Sequence, residues 1–154
     1  YVKQCFYLKK EDFESENVST TNLSHLVFFT FPHSTICIPG DLEVEAWELM
    51  LKKPKVIELL ETTDVYVASH HGRENGFNES IFAYCKPECV IMSDKHIIHS
   101  TQENTTKLYG DIINGEGIIL NGDSENKRKV LTTRNDNHIW LRIEEDGTHT
   151  YKKI

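Results

Sequence analysis

A chain of 154 residues is long enough for one domain, 1–154, with its own core. Hydrophobic residues make up 38%, few for a closed globule, and the net charge of −7 excludes a broad nucleic-acid-binding face, which needs a basic stripe. A metal-bridged phosphate ligand stays compatible with that charge, because the metal would supply the positive field.

The N-terminal Tyr1-Val2-Lys3-Gln4 lacks an initiator Met and begins as if in mid-element, which suggests a fragment or a processed chain. Residues 9–22 are polar and read as a solvated loop carrying Glu11, Asp12, Glu14 and Glu16. Leu23 to Phe31 is an apolar run rich in Val and Phe, hence a buried strand. Pro32-His33-Ser34 turns the chain, and Thr35 to Pro39 forms a second strand ending at Gly40-Asp41, so the pair reads as a β-hairpin. Leu42 to Glu61 has helical apolar spacing, with Pro54 dividing it into two helices. Asp64 to Ser69 is a short buried strand with His70-His71-Gly72 at its C-terminal end.

Glu79 to Cys85 suggests a short helix and Cys89 to Ser93 a further strand. Residues 94–107 are polar and carry no assignable pattern, and Gly115, Gly117, Asn121 and Gly122 punctuate a loop-rich stretch. Val130 to Thr133, Ile139 to Ile143 and His149 to Tyr151 read as closing strands, with turns at Asn135-Asp136-Asn137 and Asp146-Gly147. Strands alternating with helices indicate a layered α/β domain.

No apolar run is long enough to span a bilayer, so no membrane is expected as a partner. Cys37 sits in an apolar run and reads as a small buried hydrophobe. Cys85 and Cys89 form C-K-P-E-C, and the second pair that a zinc knuckle needs is absent. Reduced, structural thiols fit a cytoplasmic location.

In α/β sheets, functional groups collect beyond the C-terminal ends of strands. Two such ends carry metal-type ligands, Asp41 and the His70-His71 pair, and carboxylate with imidazole suits Zn, Mn or Fe. Asp41 has a plainer reading as the N-cap of the following helix. Adjacent imidazoles at a strand end are costly to bury without partners, which favours a functional role for at least one. A hairpin centred near His33 places His25 opposite Asp41, which makes His25 a third ligand candidate. The alternative is a solvated His at the start of the strand, with Asn22 and Ser24 as nearby polar groups.

G-D-L-E-V-E-A-W (40–47) followed by A-S-H-H-G-R-E-N-G-F (68–77) resembles the metallo-β-lactamase-fold hydrolases, most closely the branch found in the nuclease-like domain of DNA-uptake competence proteins. N-L-S-H-L-V-F-F (22–29), V-I-M-S-D (90–94) and R-K-V-L-T-T-R-N-D-N-H-I (128–139) look like weaker matches to the same branch. The resemblance implies a four-layer αββα sandwich of two similar halves with metals in the cleft between the sheets, of which this chain would be the C-terminal half. It implies that Asp41 bridges two metals, that His71 is a metal ligand, and that His70 is a second ligand or a proton donor to the leaving group. His25 stands near a position where some members have a ligand and this branch often has Asn or Ser. Arg73, Glu74 and Asn75 would touch substrate or form a solvated turn.

One departure is large. The family's H-x-H-x-D-H motif belongs to the first half and has no counterpart here; His33, His96, His99, His138 and His149 lack its spacing. The expectation is therefore a metal-dependent hydrolase, with zinc as the leading cofactor and a phosphodiester or nucleotide as the leading substrate. It would be completed by a missing N-terminal half or by a homo-oligomer. The alternatives are a non-catalytic binding or assembly module of the same fold, or an α/β domain whose Asp and His are structural. A half-fold would also leave one sheet face bare, and such a face finds a partner.

Overall fold

A computed structural model describes residues 1–15, 17–95, 101–121 and 126–154. Glu16, His96, His99 and Gly122 lie outside the described residues.

Alternating apolar residues build a six-stranded sheet from β1 (Val2–Phe6), β2 (Leu26–Phe31), β3 (Ser34–Ile38), β4 (Val65–Val67), β5 (Cys89–Met92) and β8 (Val130–Thr132), adjacent in that order. β1, β2 and β3 pair antiparallel; β3, β4, β5 and β8 run parallel. A second sheet has the order β7-β6-β10-β9, made of β6 (Ile118–Asn121), β7 (Lys127–Arg128), β9 (Ile139–Ile143) and β10 (His149–Lys153). The expected α/β class is thus observed. Of the three closing segments, 130–132 joins the large sheet and the other two pair in the small one beside β6 and β7.

The helical run divides as Pro54 dictates, into α1 (Val44–Met50) and α2 (Pro54–Glu61), with the proline at the first position of α2 where its missing N–H costs nothing. Residues 79–83 form a 3₁₀ helix rather than an α-helix. α3 (Thr101–Ile112) begins within the unassigned polar stretch 94–107 and runs past its end.

One face of the large sheet, with Leu26, Phe28, Cys37, Tyr66, Val90 and Met92, packs against Trp47, Met50, Val56 and Leu60 of the helices and Tyr109 of α3. On the other face, Val65, Cys89 and Leu131 pack with Ile118, Leu120 and Tyr151 of the small sheet. The expectation of a bare face is therefore corrected in part: the chain's own C-terminal strands cover β4, β5 and β8. Among the described residues, the β1–β2 end is left partly open, where the Tyr1 ring lies 5.8 Å from that of Phe29 and 5.7 Å from that of Phe31.

Candidate metal centre

Because β3, β4, β5 and β8 are parallel, their C-terminal ends reach one edge of the sheet. Gly40-Asp41 follows β3, Ser69-His70-His71-Gly72 follows β4, and Ser93-Asp94 follows β5. The His70 N–H donates to the Gly40 carbonyl at 2.9 Å, which ties the first two loops together.

The histidine turn is strained. His70 (φ 49°, ψ 44°) and His71 (φ 57°, ψ 24°) are both left-handed, followed by Gly72 at φ 75°. A left-handed residue other than glycine costs roughly 1–2 kcal/mol, so the surroundings must hold this turn. Trp47 Nε1 donates to Ser69 Oγ at 2.7 Å, and Tyr66 OH lies 3.3 Å from the same oxygen. The Arg73 N–H donates to the His70 carbonyl at 3.0 Å, and the Thr105 hydroxyl donates to the Gly72 carbonyl. A Cβ at Gly72 would run into the Met92 side chain.

His71 Nδ1 lies 2.7 Å from the Ser93 carbonyl oxygen, and its Nε2 lies 3.4 Å from Asp41 Oδ1. A carbonyl only accepts, so Nδ1 carries a proton and Nε2 is the ring nitrogen that faces Asp41. This is the way metal-ligating histidines are oriented. The separation fits as well. Two donors about 2.1 Å from a shared tetrahedral ion stand about 3.4 Å apart, which is longer than an N–H···O hydrogen bond. The two side chains are 54% and 40% exposed, open enough for a ligand to reach.

Asp41 is not the helix cap. The N-cap of α1 is Glu43, two residues on, and the Glu43 N–H donates to Asn22 Oδ1 at 2.9 Å.

His70 is buried and faces elsewhere. Its Nε2 lies 3.3 Å from Arg73 Nη1, and its Nδ1 lies 3.5 Å from Glu43 Oε1. Guanidinium only donates, so Nε2 accepts and Nδ1 carries the proton. At 3.5 Å that proton is beyond hydrogen-bond reach of Glu43, and among the described residues the buried Nδ1 has no hydrogen-bond partner. Glu43 Oε1 in turn accepts from Thr21 Oγ1 at 2.7 Å.

The expected position of His25 is corrected. The ladder pairs Phe31 with Ser34 and Val27 with Ile38, so the same register carried onward sets Ser24, not His25, across from Asp41. The hairpin centre falls between Pro32 and His33, half a residue from the expected place. His25 is exposed, and its ring stands 6.0 Å from that of Tyr7. Asn75 is exposed on the turn after Arg73.

Among the described residues, no group of three His, Cys, Asp or Glu side chains converges as a metal cage. Asp94 is engaged in structure: its fully buried carboxylate sits 3.0 Å from Arg134 Nη1 and accepts from the Arg134 N–H. Cys37, Cys85 and Cys89 are buried free thiols. Burial pushes Cys37 well up and Cys89 up to about 12, so the thiolate that a metal needs is disfavoured. No family model, no curated protein and no solved structure matches the chain.

Sequence reasoning named Asn22 only as a nearby polar group and gave Glu43, Ser93 and Thr21 no part in the site. Glu43 lies within the helical run that begins at Leu42. Its bond to Thr21 crosses the mouth of the hairpin, and no local pattern reports such a contact.

Proposed function

We propose that this chain carries one half of a divalent-metal hydrolase site of the metallo-β-lactamase type, acting on a phosphodiester or related bond, with Asp41 and His71 as its metal ligands. The observation that carries this reading is the pair itself: His71 Nε2 lies 3.4 Å from Asp41 Oδ1, with Nδ1 held on the Ser93 carbonyl. Zinc is the first choice for such a donor set, with manganese or iron as substitutes. A divalent ion bound there would supply Lewis acidity and positive charge to the reacting centre. His70 is the proton-carrying neighbour, and Arg73 offers positive charge to an anionic substrate, with exposed Asn75 on the same turn.

The layered α/β domain, helices on one face and strands on the other, is compatible with half of an αββα sandwich. The remaining ligands would come from an N-terminal half or a second copy. The partly open face at Tyr1, Phe29 and Phe31 is the apolar surface left for it. No helix of the described residues is long and apolar enough to cross a membrane.

A second reading, a non-catalytic binding or assembly module of the same fold, is favoured by the donor count, since only two ligands meet among the described residues.

The test is titration calorimetry with Zn²⁺ and Mn²⁺ on the chain and on an Asp41→Ala/His71→Ala variant, with elemental analysis of both. Stoichiometric binding that the double variant loses supports the hydrolase site, and release of nitrophenolate from bis(p-nitrophenyl) phosphate by the metal-loaded chain would establish activity. Binding without hydrolysis points to the module. Equal metal content in both proteins refutes the ligand assignment.

A further inference from the structure

At the opposite edge of the large sheet, where β3, β4 and β5 begin, a second set of titratable groups lies between the two sheets. Ser34 opens β3, Glu88 immediately precedes β5, and His149 and Tyr151 lie on β10, a central strand of the small sheet. Glu88 Oε1 accepts from His149 Nδ1 at 2.6 Å and from Tyr151 OH at 2.5 Å. Ser34 Oγ lies 2.7 Å from His149 Nε2. The His149 side chain is 6% exposed and that of Glu88 40%.

A Ser–His–Glu row at these distances is also the arrangement of a nucleophilic triad. Two observations set catalysis aside. Ser34 is buried. The adjacent amide, Thr35 N–H, is the donor placed to meet a developing oxyanion, but it is committed to Asp64 Oδ2 at 2.9 Å. A carboxylate beside that amide opposes the negative charge that acyl transfer builds. What the row does accomplish is to fasten a central strand of one sheet to the edge of the other.

We propose that Glu88, His149, Tyr151 and Ser34 form a proton-operated latch between the two sheets, closed while His149 is protonated against the Glu88 carboxylate and loosened when that proton leaves. The groups facing His149 are Glu88 from the loop before β5, Asp64 from the start of β4, Ser34 from β3 and Tyr151 from its own strand, with Cys89 of β5 behind Tyr151. Both carboxylates favour an imidazolium, while burial holds the phenol and the thiol neutral. The hydrogen bond to Glu88 raises the His149 pKa above the ordinary imidazole value, and burial opposes it only in part. A group raised on folding contributes fully below its unfolded pKa and loses that contribution as pH rises through the folded one. Neutral His149 can still donate to Glu88, but without the charge assistance that makes such bonds strong.

The test pairs an NMR titration of the His149 ring with hydrogen exchange of β9 and β10 across the same pH range, corrected for intrinsic exchange. The expected result is a loss of β10 protection of up to tenfold per pH unit through the measured His149 pKa, the slope of a one-proton linkage, with α2 unchanged. His149→Gln keeps hydrogen-bonding capacity but cannot charge, and should remove the step. Glu88→Gln should move the step to lower pH, and it carries the test alone where His149→Gln does not fold. The latch is overturned by pH-independent protection in the wild type, by a step that persists in His149→Gln, or by a step that Glu88→Gln leaves in place. Covalent labelling of Ser34 by a fluorophosphonate would overturn it too, in favour of a catalytic triad.

Discussion

Replacing Gly72 with alanine tests whether the histidine turn is held by its surroundings or merely tolerated. The substitution meets two costs. Gly72 has φ 75°, where an L-residue costs roughly 1–2 kcal/mol. The new methyl would also meet Met92, whose Cγ and Sδ both lie 3.2 Å from the Cβ position. The Met92 terminal methyl can swing aside, but Cγ is nearer the backbone, and overpacking of this kind costs roughly 1–3 kcal/mol. The expected loss is therefore about 2–5 kcal/mol, against a total stability of roughly 5–15 kcal/mol for a domain. For a chain of this size that is a fall in Tm of roughly 4–20 °C, at about 2–4 °C per kcal/mol. Urea denaturation gives the loss directly as a change in midpoint at constant m value. The double variant Gly72→Ala/Met92→Ala should show a favourable coupling, because the second change removes the obstacle that the first one meets. A loss below about 1 kcal/mol would refute the strain argument at this turn, since the left-handed term alone exceeds it.

Two further outcomes follow from the same structure. Ser69→Ala leaves the buried Trp47 indole N–H without its 2.7 Å acceptor and should cost roughly 1–3 kcal/mol in urea denaturation. Glu88 contributes to the acid limb of stability: burial raises its carboxyl, but the hydrogen bonds from His149 and Tyr151 outweigh burial and hold it below the ordinary value. Its contribution is present above the unfolded carboxylate pKa and is lost as pH falls through the folded one, so wild-type urea midpoints should drop on acidification more steeply than those of Glu88→Gln.

The large sheet was legible because its residues repeat with the period of the structure. Leu26, Phe28 and Cys37 face the helices, and Pro54 could only begin a helix. The edge strand β1 was not legible, since Val2-Lys3-Gln4-Cys5 alternates weakly and is exposed for most of its length. α3 was missed because its exposed residues mask the few that anchor it, Tyr109 above all. At the site, strand-end placement alone brought Asp41 and the histidine pair to one edge. Which histidine meets Asp41 depends on two successive left-handed residues, and His-His-Gly announces that only through its glycine. The position of His25 failed by half a residue of hairpin register, enough to exchange Ser24 for His25 opposite Asp41.

The two-donor site makes one prediction that concerns assembly rather than chemistry. Zinc usually takes four ligands, and on the proposed reading Asp41 with His71, 3.4 Å apart, would supply two. If the others come from a second copy or an N-terminal half, metal binding and association share the same contacts. Linkage then requires reciprocity: whatever factor association adds to metal affinity, metal must add to association. Sedimentation velocity of the chain with Zn²⁺ and with chelator reads this directly. A shift toward dimer that depends on zinc, and that His71→Ala abolishes while leaving the chelated monomer folded, means that the cleft is completed between copies. A chain that binds zinc stoichiometrically yet stays monomeric at every concentration rules out the homo-oligomer, and the missing ligands must then come from a different polypeptide segment. Zinc-driven association that His71→Ala does not weaken would refute the role of this site in assembly, because the metal would then be held by groups other than Asp41 and His71.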